Sequence, residues 1–425
     1  MSRILIKDTE ILTKQGTQTY NLVINGDRIA YIGKDLPDNI FVEAIIDGKD
    51  HIAVPGMVNA HTHAAMTLLR SYADDMLLMD WLQNKIWPAE ANLTDDDVYW
   101  GTQLAIVEML KSGTTTFADM YFFMDKVGEA VAETGIRASL ARGMIGAAPD
   151  AEEKLAESVS LYKNWHGQAD GRIRVMFGPH APYTCSPDYL QKIIREAGNL
   201  GAEIHMHLSE TEQEVADCLQ AYKKTPIALM DSLGLFELGT LAAHCVHVTP
   251  SDIVIMKNKK VRVSHNPQSN LKLASGIAPV PEMLSEGIIV GLGTDGTSSN
   301  NNLDMLEEAR LAAMLHKNNK KDPCVVTACQ ALDMATRKGA LALGFQDVGE
   351  IKVGFKADIV LYNMNKPYWN PRHDRTSLFI YAANSADADT VIVNGKILME
   401  HGSLKTIDEE RVYAEANRCG LRLTK

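Results

Sequence analysis

Histidines and acids recur at short, regular spacings through the middle of this chain. His61 and His63 stand two apart after an apolar run, as do His205 and His207; His244 and His247 follow, then His265, and Asp295 lies in Gly293-Thr294-Asp295-Gly296. Residues two apart on a strand point the same way, so His61 and His63 offer both imidazoles to one side, where they can chelate a borderline-soft divalent ion. An HxH pair taken alone is equally well a polar strand end. His, His, His and Asp at four separate strand ends are harder to explain that way, because ligands gathered from different strands are how metal sites are built.

A two-ion centre would need a bridging carboxylate, often a carbamylated Lys, and the run ending Phe177-Gly178-Pro179-His180 has no Lys. One ion held by His61, His63, a histidine of the 205/207 pair and Asp295 is the simpler reading. Three imidazoles and a carboxylate suit Zn2+, and Fe2+ or Mn2+ are also admitted, since affinity order alone does not decide. The open position would hold a water, whose pKa the ion would bring toward neutral to make a hydroxide nucleophile. His205 and His207 share parity, so alternation does not separate them; His207, nearer the strand end, is the preferred ligand, with His205 deeper in the core. Glu210, three residues on, is in reach of that water and is the preferred group to take its proton and hand it to a substrate. The plain alternative is a solvated loop Glu, like Glu212 and Glu214 beside it.

These side chains meet only if the chain brings eight distant segments to one rim. Between 55 and 354, apolar strand runs alternate with amphipathic helical stretches: AVPGMVNAHTH, TTTFADM, IRASLAR, RIRVMFGPH, AEIHMHL, TLAAHC, VRVSH and IIVGLGTD are the strands. Ser186-Pro187 reads as an N-cap followed by Pro at the first helical position, and Gly201 as that helix's stop. Eight β-then-α units predict an α/β fold, a (β/α)8 TIM barrel over residues 56–359, with its chemistry at the C-terminal strand ends. The two ends of the chain have another texture, short alternating strands punctuated by Asn25-Gly26, Asp47-Gly48 and Asn394-Gly395, pairs that suit hairpin turns. Residues 1–55 and 360–425 are therefore expected to pair into one small β-sandwich domain.

Of the 425 residues 46% are apolar and 23% charged, enough to bury a large core, so wholesale disorder is excluded. The net charge of −12 comes without a basic stripe, which argues against nucleic acid and anionic membrane as partners. No apolar run reaches the roughly 18 residues of a membrane span, and MSRILIKDTEIL turns polar too early for a secretory leader. The six cysteines are scattered without a CxxC pair, so reduced thiols and a cytoplasmic setting are expected. A homo-oligomer is a plausible assembly for a barrel enzyme, with no residue-level support in the sequence.

PGMVNAHTHAAMTLLR, HMHLSETEQE, AAHCVHV, VSHNPQSNLKLASGIAPV and GLGTDGTSSNNNLDM together resemble the amidohydrolase superfamily, specifically its mononuclear aminohydrolase branch and the 5-methylthioadenosine/S-adenosylhomocysteine deaminases within it. The likeness runs nearly the whole chain, through GEIKVGFKADIVLYN. It implies a zinc ion on His61, His63, His207 and Asp295, a proton shuttle at Glu210, and His244 as the group that orients the nucleophile with Asp295. It further implies that Glu90 accepts the ribose hydroxyls and that Arg142 and His180 touch a small-molecule nucleoside substrate. The reaction implied is removal of the 6-amino group of adenosine analogues: protonation at N1 makes C6 electrophilic, hydroxide adds there, and ammonia leaves. No role carries over to His247 or His265, which are expected to be structural.

Met76, Leu77, Leu78, Met79, Trp81, Ile86 and Trp87 read either as a helix on the barrel or as an apolar wall for a thioether, to which Met and aromatic side chains pack well; Trp81 and Trp87 are the substrate-facing candidates. Some members of the family carry a further Arg after the LARGM-like stretch, suited to the homocysteine carboxylate. Here IGAAPDAEEKLAES follows, without one, which weighs toward 5-methylthioadenosine or adenosine. The alternatives are another aminohydrolase of the branch, such as a guanine deaminase or a chlorotriazine hydrolase, and a barrel kept as a non-catalytic scaffold.

Overall fold

Eight strands, buried along nearly their whole length, run parallel and in chain order in the computed structural model, which describes residues 3–13, 16–36 and 41–425. They are β1 (Met57–Thr62), β2 (Thr114–Tyr121), β3 (Arg137–Met144), β4 (Ile173–Pro179), β5 (Ile204–Leu208), β6 (Thr240–His244), β7 (Arg262–His265) and β8 (Val290–Leu292). Helices cover the outside, which is why these strands read as continuous apolar runs. The barrel closes between β8 and β1 through the residues just past β8. The Asp295 amide donates to His61 O (3.0 Å), the Thr294 amide to Asn59 Oδ1 (3.0 Å), and Asn59 Nδ2 to Thr294 Oγ1 (2.8 Å). Close approach there demands glycine: a Cβ at Gly293 would stand 2.5 Å from Asn266 Oδ1 and Ser264 Oγ and 2.8 Å from the His61 amide nitrogen.

The helix Pro187–Leu200 starts at Ser186, whose hydroxyl accepts from the Tyr189 amide, and stops at Gly201 with φ 66°, as its sequence predicts. The segment after β1 is less regular. It forms a turn of α-helix (Leu78–Trp81), a π-helical turn (Leu82–Ile86) and another α-turn (Trp87–Glu90). A π-turn inside a helix commonly marks a functional site. The side chain of Leu78 lies outside the described residues. No described helix is long and apolar enough to cross a membrane.

Both ends of the chain build one nine-stranded mixed sheet. The ends meet where Ile359–Asn363 runs antiparallel to His51–Pro55. The long strand Arg3–Thr13 is shared: Ile4–Lys7 pair with Ala44–Asp47, whereas Glu10 and Ile11 pair with Ile52 and Ala53. A bulge between these halves, with Asp8 at φ 55°, turns the strand from one neighbour to the other. Ile6, Leu22, Ile24, Ile29, Ile359 and Ile392 are among the residues of this sheet's own core. Asn394-Gly395 makes a two-residue hairpin with both φ positive (51° and 74°), the backbone an Asn-Gly pair favours.

One buried ion pair ties sheet to barrel. Arg137, first residue of β3, donates from Nε and Nη2 to the two oxygens of Asp358 (2.7 and 3.0 Å) and from Nη2 to Asn394 Oδ1 (3.2 Å); both charged side chains are 1% exposed. Arg137→Ala leaves the Asp358 carboxylate buried and unpaired, and the expected loss is about 3–5 kcal/mol, read as a lower urea midpoint with the cleft's ligand affinity unchanged.

Candidate functional site

The ends of β1, β5 and β6 and the residues following β8 open on the same side of the barrel. Asp295 Oδ1 lies 3.4 Å from His61 Nε2 and 3.3 Å from His63 Nε2, and His63 Nε2 lies 3.3 Å from His207 Nε2. The other nitrogen of each ring is held by protein. His63 Nδ1 donates to Met120 O (2.6 Å) and His207 Nδ1 to His180 O (2.8 Å). A carbonyl only accepts, so in the neutral rings both Nε2 atoms turn lone pairs toward one another. His61 Nδ1 meets His205 Nε2 at 2.9 Å, and His61 Nε2 is buried without any hydrogen-bond partner. An orphaned nitrogen, two facing lone pairs and a carboxylate oxygen form a donor set that a divalent ion fits, each ligand steadied from behind. His207 stands in that set; His205 backs His61.

The charges agree. Burial holds the His61 imidazole down to about 4 and keeps His207 neutral. Burial would also lower His63, but the Asp295 carboxylate overrides it and raises His63 to about 9. Asp295, despite a burial that opposes its charge, is held well below the usual carboxylate range by His61 and His63. Three rings around one carboxylate thus call for one positive charge, a proton on His63 or a cation in its place.

Asp295 is aimed by its surroundings. It takes the left-handed conformation (φ 65°), a strained one for a non-glycine residue. Its Oδ2 accepts from Ser269 Oγ (2.7 Å) and Ser299 Oγ (3.1 Å), and Oδ1 from the Gly296 amide (2.8 Å). His244 donates from Nδ1 to Asn270 Oδ1 (2.8 Å), which turns its Nε2 to within 3.9 Å of Glu210 Oε2. Glu210 is 6% exposed and burial raises its pKa. Its loop is fixed by Glu214, whose carboxylate accepts from the Ser209 and Glu210 amides (2.7 and 2.8 Å). Glu214 is therefore a buried brace rather than the solvated neighbour its sequence context suggests. His247 and His265 lie apart from the donor set, bonded to Ser275 O (2.6 Å) and to His316 Nε2 (3.1 Å).

Above these groups lies a cleft whose apolar wall includes Met66, Trp81, Leu82, Trp87 and Phe122. Glu90 lines it, its Oε1 accepting from Tyr121 OH (2.7 Å), and burial pushes its pKa up to about 7. His180 also lines it, held neutral by a burial that lowers it to about 3. Arg142 is not brought to the cleft surface. Its guanidinium donates to Glu157 (2.5 Å) and to Gly143 O (2.6 Å) and sits 5.3 Å above the Phe122 ring, so it meets the cleft through Phe122. Ser269, Asn270, Ser299 and Tyr121 are no part of the sequence expectation; position marks the first three, small polar residues following β7 and β8 in NPQSN and GTSSN, and Tyr121 is the last residue of β2.

The family model for the amidohydrolase family matches residues 52–398. The chain is 55% identical over 424 residues to a 5-methylthioadenosine/S-adenosylhomocysteine deaminase of Dictyoglomus thermophilum, spanning 100% of this chain and 99% of that one. It is 52% identical over 429 residues to the deaminase of the same name from Pelotomaculum thermopropionicum, with the same coverage. Among solved structures, an adenosine deaminase from Xanthomonas campestris with bound zinc matches with a TM-score of 0.94 at 34% identity, over 99% of this chain and 98% of that one.

Proposed function

The chain belongs to the amidohydrolase family, and from that premise we propose that it hydrolytically deaminates 6-aminopurine nucleosides, with 5-methylthioadenosine, S-adenosylhomocysteine and adenosine as the substrate class. The observation that carries this reading is the meeting, in one cleft, of the His61, His63, His207 and Asp295 donors with Glu210 and His244, while the separate carboxylate of Glu90 lines the same cleft. When bound to those four residues, a zinc ion supplies the Lewis acidity that brings a water's pKa toward neutral; ferrous or manganous ion would be accepted by the same donors.

The protein's own groups do the rest. Glu210 takes a proton from the water and delivers it to N1 of the purine, which makes C6 electrophilic. His244 and Asp295 orient the water whose oxygen adds to C6. Glu210 then takes the remaining proton of the added oxygen and passes it to the amine, so the C6–N bond breaks, ammonia leaves and C6 keeps the oxygen as a carbonyl. Neutral His180 hydrogen-bonds the base, Glu90 accepts from the ribose hydroxyls, and Trp81 and Trp87 enclose the 5′ thioether. Arg142 acts at one remove, by backing Phe122. Six unpaired thiols suit a reducing, cytoplasmic compartment.

The test is ammonia release by zinc-loaded protein from 5-methylthioadenosine, S-adenosylhomocysteine, adenosine, adenine, guanine and cytosine. Nucleosides are expected to lead; a ranking led by a free base removes the nucleoside assignment, and silence on all six removes the reaction. Glu90→Gln is expected to raise KM for 5-methylthioadenosine about 10- to 100-fold, the worth of charged hydrogen bonds to two hydroxyls, and to leave adenine kinetics unchanged. The carboxylate is the better acceptor and forms above about 7. KM of the wild type should therefore fall as pH rises through that value, and the Glu90→Gln profile should be flat.

A further inference from the structure

Glu308, on the helix Met305–Lys320, has no exposed surface and lines no part of the cleft. Both of its carboxylate oxygens are engaged: Oε2 accepts from the Gln268 amide (3.2 Å) and Oε1 from Asn300 Nδ2 (2.5 Å). Each contact leads to the site. Gln268 is the second residue of the short helix Pro267–Lys272, whose N-cap Asn266 makes no side-chain cap. Pro267 has no N–H, so the Gln268 amide is the first donor left without a helical partner, and Glu308 satisfies it from 40 residues away. The same turn carries Ser269, which donates to Asp295 Oδ2, and Asn270, which accepts from His244 Nδ1. On the other branch, Asn300 Nδ2 also reaches Thr294 O (2.7 Å), one residue before Asp295, and Gln268 Nε2 donates to Asn300 O (3.1 Å), joining the two branches.

We propose that Glu308 is a positioning residue: by capping the 267–272 turn and holding Asn300, its carboxylate sets Asp295 and His244 in register with each other. This rests on the roles given above to Asp295 and His244. A carboxyl group in a dry interior is costly, and apolar filler would pack the same space without that cost. A cap for one turn would engage one oxygen; here the second oxygen holds the loop that follows Asp295, so both sides of the site are set from one side chain.

Glu308→Gln keeps the size but sets an amide donor against one of the two donors it now satisfies. Groups that steady metal ligands from behind typically change metal affinity or activity 10- to 100-fold when altered. The variant is expected to release zinc to a chromogenic chelator about 10-fold faster than wild type and to lose about 10-fold or more in kcat on 5-methylthioadenosine, with KM within about threefold. Combined with Ser269→Ala, the zinc-release effects should be less than multiplicative, since both act on the same Asp295 oxygen. Zinc release and kcat both within about twofold of wild type, with only the urea midpoint lowered, would reduce Glu308 to a stability role; fully multiplicative effects with Ser269→Ala would equally overturn the proposal. If the Gln variant does not fold, Glu308→Asp, which withdraws the carboxylate by one methylene, takes the same measurements. Zinc release needs no substrate, so it reports on Glu308 even if the wild type proves silent on every nucleoside, an outcome that would count against the deaminase reading alone.

Discussion

Glu210→Gln should abolish most turnover while sparing binding: kcat on 5-methylthioadenosine is expected to fall about 10³- to 10⁴-fold, at the upper end of what a positioned acid–base group contributes, with KM within about threefold. The amide has the carboxyl's shape and cannot pass a proton from water to N1. Two features make Glu210 the group for that transfer. It sits 6% exposed and 3.9 Å from His244 Nε2, and burial raises its pKa, which makes its carboxylate a stronger base toward the water's proton. The sign with pH follows. The carboxylate takes the water's proton at the first step, so kcat/KM should decline on the acid side as Glu210 gains a proton, and that decline should be missing from the residual activity of the variant. Zinc content should match wild type, because Glu210 is not among the four donors. A kcat within tenfold of wild type would remove Glu210 from the proton path.

Asp295→Asn is the second large effect, and it should act on metal first. The four-ligand zinc sites of small proteins bind with about 10–16 kcal/mol, so one lost ligand is worth about 3 kcal/mol, or about 100-fold in affinity. Asp295 should exceed that share, being the only anionic donor of the four. The variant is expected to purify with little zinc and no measurable ammonia release. Chelation of the wild type should give the same loss, reversed by added zinc, with the unfolding temperature falling and recovering in step as a ligand of the native state is removed and returned. His207→Ala should behave like Asp295→Asn, whereas His205→Gln, which alters only the group behind His61, should lose less. Full activity in the chelated protein would sink the metal assignment.

How far the residues alone carry can be judged from particular positions. The alternation rule suffices to put His61 and His63 on one side of β1, and caps such as Ser186 and Gly201 mark where a helix begins and ends. It cannot separate His205 from His207, which share a face; the choice turns on reach across the barrel, where His207 Nε2 comes to 3.3 Å of His63 and His205 Nε2 to 2.9 Å of the far side of His61. The resemblance makes Arg142 a substrate contact, yet Glu157 on the following helix turns its charge aside. That turn depends on how helix and strand pack, which no local pattern encodes.

The chain's own residue order, then, was enough to dictate the β/α alternation, the turn chemistry of both ends and the residue types that could bind an ion, because each depends on backbone preferences and side-chain periodicity within about ten neighbours. The fold had to decide which imidazoles face one carboxylate, that Glu214 is a brace, and that Glu308 reaches back 40 residues to cap a turn. Those outcomes are set by distances between segments far apart in sequence, and such distances exist only after eight strands have closed into a ring.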